Sequence, residues 1–315
     1  MDVAQQPTRE LIRPPSKPLT RALKKMAGPD VDGFGFILPA AFVMVALVVY
    51  PFCLAVYFSL SDAFIGEPSE FIGLENFEYI IFEDDIFLIT IRNTLYFGFF
   101  SVLFKIVFGM LAALLLLRAL KWKKFWRGSL LVPFVAPTAL TTLGWWFIFD
   151  PTYSHVNWVL EGFGFEGYHW LGDPDLAIWV CIFVNIWRGL PFFIITILAG
   201  LVSIPEYLYE AAEIDGATAW DKFWKITVPL LRPVLAIVIL FSTIFTLAEF
   251  NIIFVLTRGG PINSTHLFAT YSYVTGIGNH EIGLGAAISL FLFPILVVTV
   301  IGLLRMVRRD TSYEL

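Results

Sequence analysis

At 315 residues the chain is 58% hydrophobic, 17% aromatic and only 15% charged, with a mean hydropathy of +0.77, which excludes a water-soluble domain of this size. The net charge of −5 averages basic segments with acidic ones, so it says nothing in favour of nucleic acid. Two cysteines, Cys53 and Cys181, both within apolar stretches, exclude a disulfide framework and a cysteine-based metal knuckle.

Residues 1–32 are rich in Pro, Lys and Arg, lack apolar periodicity and are expected to form an N-terminal cytoplasmic arm. Six apolar stretches follow, at 34–60, 93–117, 128–149, 176–201, 233–256 and 285–305. Each reaches the roughly 20 residues that a helix rising about 1.5 Å per residue needs to cross about 30 Å of hydrocarbon. Lipid leaves unpaired backbone groups unsatisfied, and each stretch has about twice the length of a barrel strand. The expected fold class is therefore all-α, a polytopic protein with six transmembrane helices in one membrane domain, 33–309, and a short cytoplasmic tail, 310–315. The first stretch is too long for a signal-peptide core and no small-residue cleavage site follows it, so it is expected to remain as an anchor.

Cations set the orientation, because Lys and Arg are retained on the cytoplasmic side. The arm, the second and fourth connections and the tail carry 17 of the 21 cations, including Arg118, Lys121, Lys222, Lys225 and Arg308. The first, third and fifth connections carry Arg92 and Arg258 against a large excess of carboxylates. Both termini are expected inside.

The external connections 61–92 and 150–175 mix aromatics, Gly, Pro and carboxylates, and are expected to form short interfacial helices, fitting a docking surface for an external partner or simply a solvated lip. A Gly-x-Gly-x-x-Gly match at Gly162, Gly164 and Gly167 lies there without a strand before it or a helix after it, the wrong setting for a dinucleotide site. His155, His169, His266 and His280 all fall in external segments without metal-ligand spacing, so neither a metal site nor a catalytic residue is expected.

Ionisable groups inside membrane spans are costly, which makes Lys105, Arg188 and Glu249 candidates for function. Arg188 stands with Asn185 and Trp187 on the fourth stretch, and Glu249 with Asn251 on the fifth. These five residues are the candidate solute path, although an Arg188–Glu249 pair pinning two helices fits the same residues. Lys105 reads most simply as an inter-helix or snorkelling residue. Pro39, Pro51, Gly189, Pro191, Gly200 and Pro294 invite kinks.

The fourth connection, 203–232, is cytoplasmic and structured. Ser203 and Glu206 have capping-box spacing, Pro205 suits a first turn, and Gly216 is placed to end a helix in a left-handed conformation. Thr218 and Asp221 repeat the start signal for a second short helix running toward Pro229. On the first helix Glu206, Glu210 and Glu213 form an acidic stripe beside the small residues Ala211 and Ala212.

The run Glu210-Ala211-Ala212, Asp215-Gly216-Ala217, Phe223, Ile226 and Pro229 closely resembles the EAA loop of binding-protein-dependent importer permeases. Ala199-Gly200-Leu201, Ile204-Pro205, Thr257-Arg258-Gly259-Gly260-Pro261, Tyr50-Pro51 and Gly73-Leu74-Glu75-Asn76-Phe77 are similar to the carbohydrate branch of that family. The resemblance implies a pore-forming permease subunit of a sugar importer in a bacterial inner membrane. It implies that Glu210, Ala211, Ala212, Asp215, Gly216 and Ala217 form a coupling helix seated in an ATPase subunit. The partners it implies are a second homologous permease, an ATPase dimer that holds ATP and magnesium, an extracytoplasmic substrate-binding protein and a sugar or sugar derivative. No phosphate-cradling Gly-x-x-x-x-Gly-Lys-Ser/Thr occurs, so no cofactor is expected in this chain and it is expected not to be an enzyme. The competing reading from the residues is an ion-coupled secondary transporter with Glu249 and Arg188 as its relay.

Overall fold

A computed structural model describes residues 31–117, 123–150 and 152–311. The arm up to residue 30, the cations Arg118 and Lys121, and residues 312–315 of the tail lie outside the described residues. Apart from a single bridge between Ser61 and Phe71, every regular element among the described residues is helical.

The chain divides into two units, the first ending at Leu54. That unit holds α1 (Val31–Met44), a π turn over Val45–Val49 and the beginning of α2 (Tyr50–Ser59). Every side chain from Ile37 to Cys53 is exposed. A helix apolar on all sides is stable in such a state only in lipid.

The second unit continues through α3 (Glu75–Phe82), α4 (Asp85–Leu117), α5 (Lys123–Val135), α6 (Thr138–Phe149), α7 (His155–Gly162) and α8 (Pro174–Ser203). It then runs through α9 (Tyr207–Ile214), α10 (Ala219–Lys222), α11 (Val228–Leu247), α12 (Asn251–Leu256), α13 (Phe268–Tyr273) and α14 (Ile282–Thr311). Among the described residues five helical stretches are long and apolar enough to span a membrane, and a bent pair makes six when taken as one.

The helices depart from the expected stretches where a charge or a proline was misread. The second span begins at Asp85 rather than Asn93, because Asp84 accepts the Ile86 N–H at 2.9 Å and the apolar pattern runs on past Arg92. A charge ends a hydropathy stretch without breaking a helix. The third stretch is not one rod: α5 and α6 meet at a bend of 99°. Pro137 lacks an N–H and drives Ala136 out of helical geometry. The ends are closed instead by Ala136 N–H to Val132 at 3.2 Å and Thr141 N–H to Pro137 at 3.1 Å.

The fifth stretch is also broken. Its helix starts at Val228, stops at Leu247 and resumes at Asn251, so Glu249 sits in a break rather than inside a helix.

The longest shared surface is α4 against α8. Two apolar clusters form along it, one around Phe97, Cys181, Ile182 and Ile252, the other around Met110, Phe193, Ile197 and Leu231. Lipid is as apolar as these side chains, so what holds the helices is close packing and inter-helix hydrogen bonds rather than transfer from water.

The external turns explain two of the motifs. Asn76 donates to the carbonyls of Ser59 at 3.0 Å and Ser61 at 2.9 Å, fixing the first external loop to the end of α2. In the turn after α12, Thr257 and Thr265 share a hydrogen bond of 2.7 Å, and Thr265 donates to Gly260 at 2.7 Å. His266 lies buried against Gly259, where any Cβ would strike its ring, with Thr270 Oγ1 3.3 Å from Nδ1.

Burial pushes the His266 pKa down to about 4, from about 6.5 for a free imidazole. Because the folded value is the lower one, the unfolded chain takes up the proton first, and stability drains away as pH falls from about 6.5 toward 4. Thermal unfolding of the purified protein across that window should show a steeper decline than in His266→Gln. Identical slopes would show that His266 is not buried neutral.

Candidate functional site

Between the two apolar clusters lies a polar group shared by three helices. Lys105 on α4 donates to Asn185 Oδ1 on α8 and to Thr246 Oγ1 on α11, the latter at 3.1 Å. All three residues are buried. Gly189 gives the lysine its seat, since a Cβ there would lie 2.7 Å from Lys105 Cε. One turn along α8, Arg188 Nη1 faces Glu249 Oε2 at 3.8 Å, and the other Glu249 oxygen accepts the Ile252 N–H at 3.1 Å. Glu249 thus serves the break before α12 with one oxygen and faces a guanidinium with the other.

These residues line a cavity of about 440 Å³. Its polar wall is Lys105, Asn185, Arg188, Thr246, Glu249 and Asn251, and its apolar wall includes Phe192, Phe245 and Phe250. Four of the five candidate path residues therefore share one space. Trp187 does not: it points away and packs edge-on against Trp145, with ring centroids 5.3 Å apart. On a helix, positions 185, 188, 189 and 192 share a face, and 187 is turned off it.

Lys105, expected as an inter-helix or snorkelling residue, also lines the cavity, and Thr246 and the phenylalanines are lining residues outside the expected set. A signal existed in the sequence: Thr90, Thr94, Ser101 and Lys105 repeat at helical spacing and form a buried polar stripe on α4.

At the other end of α8 and α11 stands the hairpin of α9 and α10. Glu210, Ala211, Asp215 and Gly216 are exposed, and Ala212 and Ala217 half-buried. Gly216 has φ +78°, the left-handed value that ends α9 and favours glycine. Thr218 and Asp221 form the expected capping box.

The other expected box does not form. α8 runs on through Ser203, whose hydroxyl donates back to Gly200 at 2.7 Å, and Glu206 makes no side-chain cap. The second helix does not stop near Pro229 either. A π turn over Phe223–Thr227 absorbs the register and leads directly into α11.

Two ion pairs stiffen the hairpin, Lys222 to Glu213 and Lys225 to Asp221, the latter at 2.7 Å. The first crosses from α10 to α9. Tyr209 and Thr227 add a hydroxyl contact of 2.9 Å. Around this frame Tyr207, Ile214, Trp220 and Trp224 are exposed, Ile214 at 88%.

An all-helical chain with a polar cavity inside its spans and a stiff exposed hairpin between two of them defines a membrane transport subunit. Residues 105–310 match the family described as the binding-protein-dependent transport system inner membrane component. The sulfoquinovosyl glycerol transport system permease protein SmoG of Agrobacterium fabrum is 35% identical over 96% of this chain and 99% of its own length. The trehalose/maltose transport system permease protein MalF of Thermococcus litoralis is 33% identical over 88% of this chain and 95% of its own. A crystal structure of a bacterial ABC transporter involved in the import of the acidic polysaccharide alginate contains a chain with the same fold, at TM-score 0.76 and 24% identity over 93% of this chain and 99% of that one.

The chain belongs to the family of binding-protein-dependent transport system inner membrane components. It is a multi-pass inner-membrane permease subunit of an ABC importer, working with ATPase subunits and a periplasmic binding protein, and is not itself catalytic.

The Lys222 ammonium, by hydrogen bond and then by charge, holds the Glu213 carboxyl below the ordinary glutamate range. The pair is present at neutral pH and is lost as pH falls through that lowered value. A carbon-13 titration of the Glu213 carboxyl should show this depressed midpoint, and Lys222→Met should return it to the ordinary range. A midpoint indifferent to Lys222 would mean that the cross-link between α9 and α10 does not form.

Proposed function

We propose that this subunit moves a sugar or sugar derivative through the cavity lined by Asn185, Arg188, Glu249 and Asn251, and that the α9–α10 hairpin couples this movement to the ATPases. The carrying observation is that one pair of helices joins the two features. The hairpin links the end of α8 to the start of α11, and the same helices bear Arg188 and Asn185, and Ser242 and Thr246, on the cavity wall. From Ser203 to Arg188 is about 22 Å of continuous helix at 1.5 Å per residue. A displacement of the hairpin therefore reaches the cavity through rigid arms.

Sugar chemistry is supported by the relatives named for sulfoquinovosyl glycerol and for trehalose and maltose. It is supported also by a cavity that sets phenylalanine faces opposite amide and hydroxyl groups. Such a mixture suits a ring with C–H faces and a hydroxyl edge. A second, homologous permease completes the path, a pair of ATPases lies beneath, and the binding protein delivers solute from outside. The ion-coupled alternative, with Glu249 and Arg188 as relay, has no support from the family of the chain.

Glu210, Ala211, Ala212, Asp215, Gly216 and Ala217 form the docking face in this reading. Glu210 is exposed, so a pairing with a cation on the ATPase is worth about 0–1 kcal/mol and sets register more than affinity. The double variant Glu210→Lys with Gly216→Pro should reach the membrane at normal levels, fail to retain the ATPase on purification and lose all uptake. Normal uptake by that variant would remove the coupling role from this hairpin.

A further inference from the structure

We propose that the solute carries an acid group, a carboxylate, sulfonate or phosphate on its sugar, and that Arg188 and Lys105 face that group. The proposal rests on the reading of this cavity as the solute path. Three ionisable residues line the cavity, Lys105, Arg188 and Glu249, and two of them are cations.

Glu249 satisfies neither cation with a hydrogen bond. One of its oxygens is taken by the Ile252 N–H, and the other stands 3.8 Å from Arg188 Nη1, beyond hydrogen-bond length. Arg188 is thus balanced in charge while its Nη donors stay available, and its Nε is buried without a hydrogen-bond partner. The two Nη groups of a guanidinium present a fork matched to two oxygens of one oxyanion.

Lys105 ends on neutral acceptors, the Asn185 amide oxygen and the Thr246 hydroxyl. Among the described residues it has no carboxylate within ion-pair distance. Glu249, the one carboxylate on the cavity wall among the described residues, is shared with Arg188, so two cations face one anion and an arriving acid group supplies a second negative charge. An amino sugar meets repulsion from both groups, and a neutral sugar gains only the aromatic and amide contacts.

The test uses the assembled importer with a reporter cysteine on the cavity wall at an exposed position, Phe245→Cys, in a Cys53→Ser background; Cys181 is fully buried. Labelling of this subunit by a small methanethiosulfonate is followed in the presence of glucuronate, glucose, glucosamine or succinate at equal concentration. Phe192→Cys, also on the wall, is the second reporter if the first fails to assemble.

Glucuronate should slow labelling about tenfold more effectively than glucose, the ratio that one charge-assisted hydrogen bond supplies. Glucosamine should protect no better than glucose. Arg188→Gln should erase the preference for glucuronate, and Arg188→Lys should restore part of it. Equal protection by glucose and glucuronate would overturn the acid-group proposal and leave the sugar path standing. Protection by succinate equal to that by glucuronate would uphold the acid group and overturn the sugar. Protection by none of the four would overturn both.

Discussion

Hydrocarbon offers a polypeptide no hydrogen bonds, so a helix inside the membrane can break only where the protein itself takes up the freed backbone groups. Two breaks in this chain obey that constraint in different ways. At Pro137 the backbone closes each helix end on itself, and the hydroxyls of Thr141 and Thr142 bond back along the new turn. After Leu247 the Glu249 carboxylate caps the restart at Ile252. Both breaks adjoin the cavity: Phe134 comes from just before the first, and Ala248, Glu249 and Phe250 make up the second, with Asn251 beginning α12 beside them. At the second break the irregular backbone and the polar wall are one feature, because the Glu249 carboxylate that repairs the backbone also faces the opening.

The same economy governs the buried charges. The lysine at mid-span is tolerated because an amide on α8 and a hydroxyl on α11 accept its hydrogen bonds, and the arginine and glutamate because they face each other; the lysine's bonds fix how α4, α8 and α11 sit together. Gly189 makes the lysine's position possible by leaving room for its stem. At the cytoplasmic end, the Glu213–Lys222 pair and the capping box at Thr218 make one body of two short helices that would each be marginal alone. Transport by alternating states requires such bodies, since a soft hairpin would absorb motion without passing it on.

Much of this was legible in the residues, and the exceptions share a cause. Composition and stretch length read out the helical class, and Gly216 and the Thr218–Asp221 box read out the hairpin, because these signals are local. Hydropathy windows placed the second span eight residues late at Arg92, and passed over Pro137 and the break at 248–250, because a window averages over the residue that does the breaking. Asn185, Arg188, Glu249 and Asn251 were found from the cost of polar groups in lipid, and the structure brings them to one cavity. Trp187 was grouped with them by adjacency, when helical angle decides which neighbours share a face. Lys105 does join helices, as its inter-helix reading expects, but nothing local says that its partners are Asn185 and Thr246, 80 and 141 residues away, or that it lines the cavity with them.

The central claim is that a rigid hairpin on the cytoplasmic side moves with the ATPases and drags the cavity walls with it. Spin labels at Trp220→Cys and Val298→Cys, both exposed, in a Cys53→Ser background, would report the separation of the hairpin from α14 by pulsed electron resonance in the assembled importer. The account predicts two distinct distance distributions, one without nucleotide and one with ATP trapped, and a single unchanged distribution when the ATPases are absent. One distribution unaffected by ATP in the complete complex would contradict it.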